Sequence, residues 1–281
     1  MSQKGHSKDT SVRSWSPSSR YKKVAEANRQ SYKQFVDLYD KTETCVVSPR
    51  LQKMMEQDLE KILKMISKKE QIHVLDACGG SGNAALKLLN RGAYVTLCDI
   101  SPELIQIFER KCKEKALARY ETVCSEIGTY LSQSNKKFDI IVFSSALHHI
   151  LDYTSVLKIA VLKLNEGGVI YTVFDPVRWK FPTYQIIWFD WLLYAILNYP
   201  FELLSTIRRR LFSTSNEPDY STLCEYHVKT GIDDYELVQA MKETGIIVVS
   251  HIRYSDARHL FFRLLLRRIK GVTSFKLILR K

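Results

Sequence analysis

Two groups of residues have the types and spacing to do chemistry. The first is Val74-Leu75-Asp76-Ala77-Cys78-Gly79-Gly80-Ser81-Gly82, a glycine-rich turn after a short apolar run. Glycines there let the chain turn sharply and let a ligand approach the main chain with no Cβ in the way. Asp99 follows 17 residues beyond Gly82, at the end of a second apolar run, where a carboxylate can accept the hydroxyl protons of a ribose. Together they point to an adenosine-type nucleotide, without separating a dinucleotide from S-adenosylmethionine. The second group is His148-His149, directly after the run Phe138–Leu147. Neutral imidazole is a reasonable base near pH 7, and the alternative is that one histidine caps the next helix or packs at a sheet edge. Asp175 and His227 are weaker candidates of the same kind.

The elements that must position these groups follow from periodicity. Apolar residues recur at helical spacing over about 21–38 and again over 49–66, where Leu51, Met54, Met55, Leu59, Ile62, Leu63 and Ile66 form one stripe. Strands are predicted at 72–75, 94–98, 138–143 and 168–174, with helices at 84–89, from Ser101-Pro102 onward, and at 153–164. A helix over 233–243 and strands over 246–251 and 274–280 complete the chain. Strands alternating with helices at this pitch predict a mostly parallel, doubly wound α/β sheet.

At this point the sequence resembles the class I S-adenosylmethionine-dependent methyltransferases. The matching stretches are VLDACGGSG (74–82), VTLCDIS (95–101), FDIIVFSSALHHI (138–150) and LNEGGVIYTVFDP (164–176). The resemblance implies a Rossmann-like sheet with an antiparallel last strand. It implies that Asp76, Gly79, Gly80 and Gly82 hold the methionine end of S-adenosyl-L-methionine, that Asp99 binds the ribose, that Ile100 packs on adenine and that Glu126 lies near the adenine amino group. One departure is Cys78, which stands where the family has its first turn glycine. The LHH sequence at 147–149 is similar to the small-molecule and quinone-type branch. The (D/N)PPY signature of many nucleic-acid and protein amino-group methylating relatives is missing.

Composition bounds what else the chain can be. It has 281 residues with 45% apolar and 26% charged, which excludes a mainly disordered or collagenous protein and allows a full core. Six cysteines form no CxxC pair and no metal cluster with histidine, so reduced cysteines without a zinc site are expected. The first 20 residues have no apolar core, so no secretory signal is read there. The net charge is +12, unevenly placed: residues 71–176 carry 11 basic and 11 acidic side chains, whereas 251–281 carry nine against one. Such a surplus fits nucleic acid, an anionic membrane or simple solubility.

The surplus flanks two unusual segments. Residues 178–210 hold an almost wholly apolar stretch broken by Asp190, Asn198 and Pro200, with Trp179, Trp188 and Trp191 and the flanking basic residues Arg178, Lys180 and Arg208–Arg210. Residues 258–270 repeat the chemistry, an apolar body with a basic fringe. The stretch is shorter than the roughly 20 residues of a membrane span. A lid or homodimer contact and a membrane-surface or lipophilic-acceptor role both fit; nucleic-acid binding fits less well, because the aromatics sit among leucines. The expected organisation is a polar tail (1–20), a helical cover (21–70), a cofactor-binding core (71–176), an inserted apolar lid (177–230) and the end of the core sheet (231–281). The expected activity is methyl transfer to oxygen or carbon of a hydrophobic small molecule such as an isoprenoid, quinone or lipid-linked precursor, in the cytoplasm or at a membrane surface. The alternatives are an RNA methyltransferase and a non-catalytic binding or assembly protein of the same fold.

Overall fold

The computed structural model describes residues 18–66, 70–178, 182–198, 227 and 230–281, without the side chains of 34–39 and 42. Most of the polar tail, Trp179, Lys180 and Arg208–Arg210 lie outside the described residues. The helices are α1 (Ser19–Thr42), α2 (Thr44–Val47), α3 (Pro49–Met65), α4 (Asn83–Leu89), α5 (Pro102–Glu114), α6 (Ile127–Gln133), α7 (Tyr153–Leu162), α8 (Thr183–Asn198), α9 (Asp234–Lys242) and α10 (Leu260–Arg268). The strands are β1 (His73–Ala77), β2 (Tyr94–Asp99), β3 (Tyr120–Cys124), β4 (Phe138–Ser144), β5 (Leu164–Pro176), β6 (Ile247–Tyr254) and β7 (Ser274–Arg280).

The strands form one seven-stranded sheet in the order β3-β2-β1-β4-β5-β7-β6. β1 to β5 run parallel and β7 runs antiparallel between β5 and β6, so the expected doubly wound sheet with an antiparallel last strand is the observed one. The central strands are buried on both faces, which is why they read as continuous apolar runs. Alternate side chains part to opposite sides. Val74, Val95, Ile140 and Val142 meet α3, α4 and α5 on one face. Leu75, Ala77, Ile141 and Phe143 meet α6, α7 and α9 on the other.

The stripe read on α3 is its inner face, with Leu51, Met55, Leu59 and Ile62 fully buried against the sheet. Each such side chain removed from water contributes roughly 1.5–3 kcal/mol. Asp58, on the same inner face, accepts from the Tyr171 hydroxyl (2.9 Å) and the Lys276 ammonium (2.5 Å), which ties α3 to β5 and β7. Ser101 caps α5 by accepting from the Leu104 N–H, with Pro102 at the first helical position, as the sequence predicts.

Among the elements not read from the sequence are β3 and α6. β3 is an edge strand whose residues are at most half-buried, so it carries no apolar run. α6 is a seven-residue helix capped by Glu126, outside the usual Ser, Thr, Asp or Asn signal. β5 is longer than read, and a bulge between Val173 and Asp175 sets Phe174 out of the ladder, where its N–H bonds the Tyr254 hydroxyl at 3.1 Å.

Candidate active site

The parallel strands β1 and β4 diverge in chain direction of their connections, and ligands in such sheets sit beyond the carboxyl ends at that switch point. A cavity opens there, with about 620 Å³ of unfilled space counting its mouth. The turn after β1 supplies Cys78 and Gly80, the end of β2 supplies Asp99 and Ile100, and Ser125 and Glu126 follow β3. Ser145, His149, Ile150 and Leu151 close it from the β4 side, and Tyr21, Val24, Asn28 and Tyr32 of α1 cover it. No described residue of the segment expected as an inserted lid (177–230) lines the cavity, and 179–181, 199–226 and 228–229 lie outside the described residues.

Backbone strain gathers at this edge. Cys78 (φ 57°) and Ser145 (φ 55°) end β1 and β4 in the left-handed region, and Phe174 (φ 68°) does so in β5. Each is a position where glycine would cost nothing, and a side chain there costs about 1–2 kcal/mol. Cys78 therefore keeps the conformation of the glycine it stands for, and burial pushes its thiol well up, so it is no nucleophile at neutral pH.

The three turn glycines have separate reasons. Gly80 lines the cavity. Gly79 and Gly82 do not, and serve packing instead. A Cβ on Gly79 would lie 2.8 Å from the Leu97 side chain; on Gly82, itself left-handed at φ 85°, it would lie 2.2 Å from the Phe108 ring.

Asp76 sits behind the turn rather than in the cavity. One carboxylate oxygen accepts the Ala85 N–H of α4 (2.9 Å), and the other, Oδ1, is buried without a hydrogen-bond partner. Burial pushes this carboxyl up to about 7, and the nearby Asp99 charge adds to the rise. Asp99 is buried but reaches the cavity, and its carboxyl is also raised by burial. Its oxygens accept from Gly80 N–H and Ser101 N–H, both at 2.8 Å, which pins the turn to β2. A carboxylate has about four lone-pair sites, so Asp99 keeps acceptor capacity for a ligand.

Glu126 lines the cavity but is already engaged. Oε1 accepts from Gly128 N–H (2.6 Å) and the Tyr21 hydroxyl (2.7 Å), and Oε2 from the N–H (2.8 Å) and hydroxyl (2.9 Å) of Thr129. Its first task is to cap α6 and hold α1 through Tyr21, a role the sequence pattern did not reveal.

The adjacent histidines separate. His149 lines the cavity, with Nε2 2.7 Å from the Tyr32 hydroxyl and its carbonyl accepting from the Asn28 side chain (3.0 Å). His148 points the other way and is buried, with Nδ1 2.9 Å from Asp175 Oδ1, which also accepts the His148 N–H at 3.2 Å. Burial drives both partners toward their neutral forms, His148 down to about 3 and Asp175 up to about 7. His148, read from the sequence as a candidate base beside His149, does not line the cavity. The two rings lie with centroids 4.0 Å apart and planes tilted by 44°, so His149 rests against the His148–Asp175 pair. His227 joins this cluster from outside the cavity, its ring nitrogen near the Leu151 carbonyl (3.2 Å).

A methyltransferase-domain family model matches residues 74–168. The tRNA 5-carboxymethoxyuridine methyltransferase of Escherichia coli (strain K12) is 30% identical over 124 residues, 44% of this chain and 47% of that protein. The ubiquinone biosynthesis O-methyltransferase of Coxiella burnetii (strain Dugway 5J108-111) is 30% identical over 135 residues, 47% of this chain and 52% of that protein. The chain spans about half the length of the curated relatives it matches. The crystal structure of magnesium protoporphyrin IX methyltransferase from Synechocystis PCC 6803, solved with bound SAH, superposes over 92% of this chain and 99% of that one, with a TM-score of 0.57 at 12% identity. Residues 74–168 match the methyltransferase-domain family model, and the chain shares the fold of that solved methyltransferase.

Proposed function

We propose that this chain transfers a methyl group from S-adenosylmethionine to an oxygen or carbon of a hydrophobic small molecule. The observation that carries the reading is the convergence at the β1/β4 switch point: bare backbone at Gly80, a carboxylate at Asp99 and an apolar side chain at Ile100 face one cavity. These residues fit the cofactor. The remaining lone pairs of Asp99 suit two ribose hydroxyls, Ile100 suits the adenine face, and Gly80 leaves room for the methionine end. Asp76, with a buried oxygen still lacking a partner, supports the turn from behind. Glu126 acts by holding α6 and Tyr21 in place.

When bound, the sulfonium supplies an electrophilic methyl that needs an aligned nucleophile and little else. The chain's own residues provide that alignment and a proton acceptor. Tyr32 and His149 form a hydrogen-bonded pair in the cavity wall, able to take the proton of a phenol or an activated carbon. His148 and Asp175 hold the His149 ring, and α1 excludes water from above. Val24, Ile150 and Leu151 give the acceptor side an apolar surface, in keeping with a greasy substrate and with the O-methyltransferase relative.

Calorimetry tests the cofactor: S-adenosylmethionine should bind, and Asp99→Ala should weaken it at least about tenfold, the worth of one hydrogen bond to a charged group. Stabilisation by a nicotinamide nucleotide with no response to S-adenosylmethionine would defeat the reading. His149→Gln should lower turnover by about 10²–10⁴ at unchanged cofactor affinity, and full turnover in that variant would remove the base. A second reading, methyl transfer to RNA, is favoured by the tRNA-modifying relative and the +12 charge. Labelled methyl groups appearing in total RNA rather than in a lipid extract would select it.

A further inference from the structure

The helix pair α8–α10 is not absorbed by the cavity, and its orientation is unusual. α8 buries only Thr183, Asp190 and Ala195, and turns Tyr184, Trp188, Phe189, Trp191, Ile196 and Leu197 toward solvent, Leu197 with 64% of its surface exposed. The sole charged residue of α8 is Asp190, and it faces inward. Its carboxylate accepts the N–H groups of Arg258 (2.7 Å) and His259 (2.9 Å) and lies 2.8 Å from His259 Nδ1, so it caps the entry to α10. The Arg258 guanidinium then stacks 4.1 Å over the Tyr194 ring. Rotating α8 to bury its tryptophans would withdraw Asp190 from these donors. The apolar face is therefore held outward by its own anchor.

α10 extends the same surface, with Leu260, Phe261 and Leu264 exposed. Its last turn carries Arg267 and Arg268, followed by Lys270, all exposed. No acidic residue occurs from 257 to 281. An apolar, aromatic centre with a cationic rim matches the interface of an anionic bilayer, where aromatics sit at headgroup depth and arginine or lysine meets the lipid charge. A second copy of the chain fits less well, because a two-fold contact would set the same positive rim against itself. RNA fits less well too, because the exposed rings stand among aliphatic side chains. No described helix is long and apolar enough to cross a membrane, and 16 residues of α8 rise only about 24 Å.

We propose that α8 and α10 form a docking face for anionic lipid bilayers, lying in the plane of the headgroups. The face is separate from the cavity, so it stands or falls independently of the methyl-transfer reading.

Flotation of the full chain with phosphatidylcholine vesicles, with or without phosphatidylglycerol, tests this. Binding is expected to vesicles containing phosphatidylglycerol at low salt, with release at high salt. Trp188→Ser with Trp191→Ser, and separately Arg267→Glu with Arg268→Glu and Lys270→Glu, should each lower partitioning at least tenfold while leaving thermal unfolding and S-adenosylmethionine affinity unchanged. Absence of flotation at low salt would overturn the proposal. So would a dimer that Trp188→Ser dissolves in the absence of lipid, or retention of RNA without retention of vesicles. Intact flotation beside absent S-adenosylmethionine binding would sink the methyl-transfer reading alone.

Discussion

Helices α3 and α8 have almost the same length, 17 and 16 residues, and each buries one aspartate, yet they face opposite ways. In α3 the apolar stripe meets the sheet and the polar residues meet water. Asp58 shares that inner face because Lys276 supplies a counter-charge and Tyr171 a hydrogen bond there. In α8 the aspartate and two small residues are inside, and most of the large apolar side chains are outside. The contrast teaches that apolar content does not by itself choose a helix's inner face. A polar anchor with matching donors can outweigh it, provided that the exposed face has something else to meet.

Substitutions can break or sharpen this contrast. The largest effect is expected for Asp58→Ala, which leaves the Lys276 ammonium buried without a counter-charge. It should cost about 3–5 kcal/mol in urea unfolding. Next, Leu59→Ala opens a hole under α3 and should cost about 3 kcal/mol by the same measurement. Asp190→Ala removes the cap of α10 and should cost about 1–2 kcal/mol. It should also speed proteolytic cutting within α8, because Asp190 ties that helix to the start of α10. The smallest effect belongs to Trp188→Ser, expected within about 0.5 kcal/mol of the unchanged chain because half of that side chain is already in water. A loss at Trp188 matching that at Leu59 would make α8 an ordinary core helix and erase the comparison.

Legibility in the sequence followed apolar runs. Strands β1, β2, β4 and β5 were visible because both faces are covered, which forces unbroken apolar runs. β3 was not, because an edge strand tolerates Tyr120, Glu121 and Thr122 in a row. The glycine turn and Asp99 were visible as a spacing, and the structure puts Gly80 and Asp99 on one cavity. What could not be read was the division of labour within each motif. Gly79 and Gly82 answer to Leu97 and Phe108, residues far along the chain. Glu126 is spent on α6 and Tyr21.

The pair His148-His149 shows the same limit most plainly. Their order places both after β4, but only the bulge that turns Asp175 toward His148, and α1 laid across the cavity with Tyr32, separate the inner ring from the outer one. The sequence by itself determined the alternation of strands and helices, the turn that can take a nucleotide and the location of the charge, because these depend on local periodicity and residue type. Only the tertiary structure decided which histidine meets the cavity, which helix covers it and which face of α8 points to water. Those outcomes rest on contacts between residues 27 to 117 apart, such as His148 with Asp175, Asp190 with Arg258 and Tyr32 with His149, that no local pattern encodes.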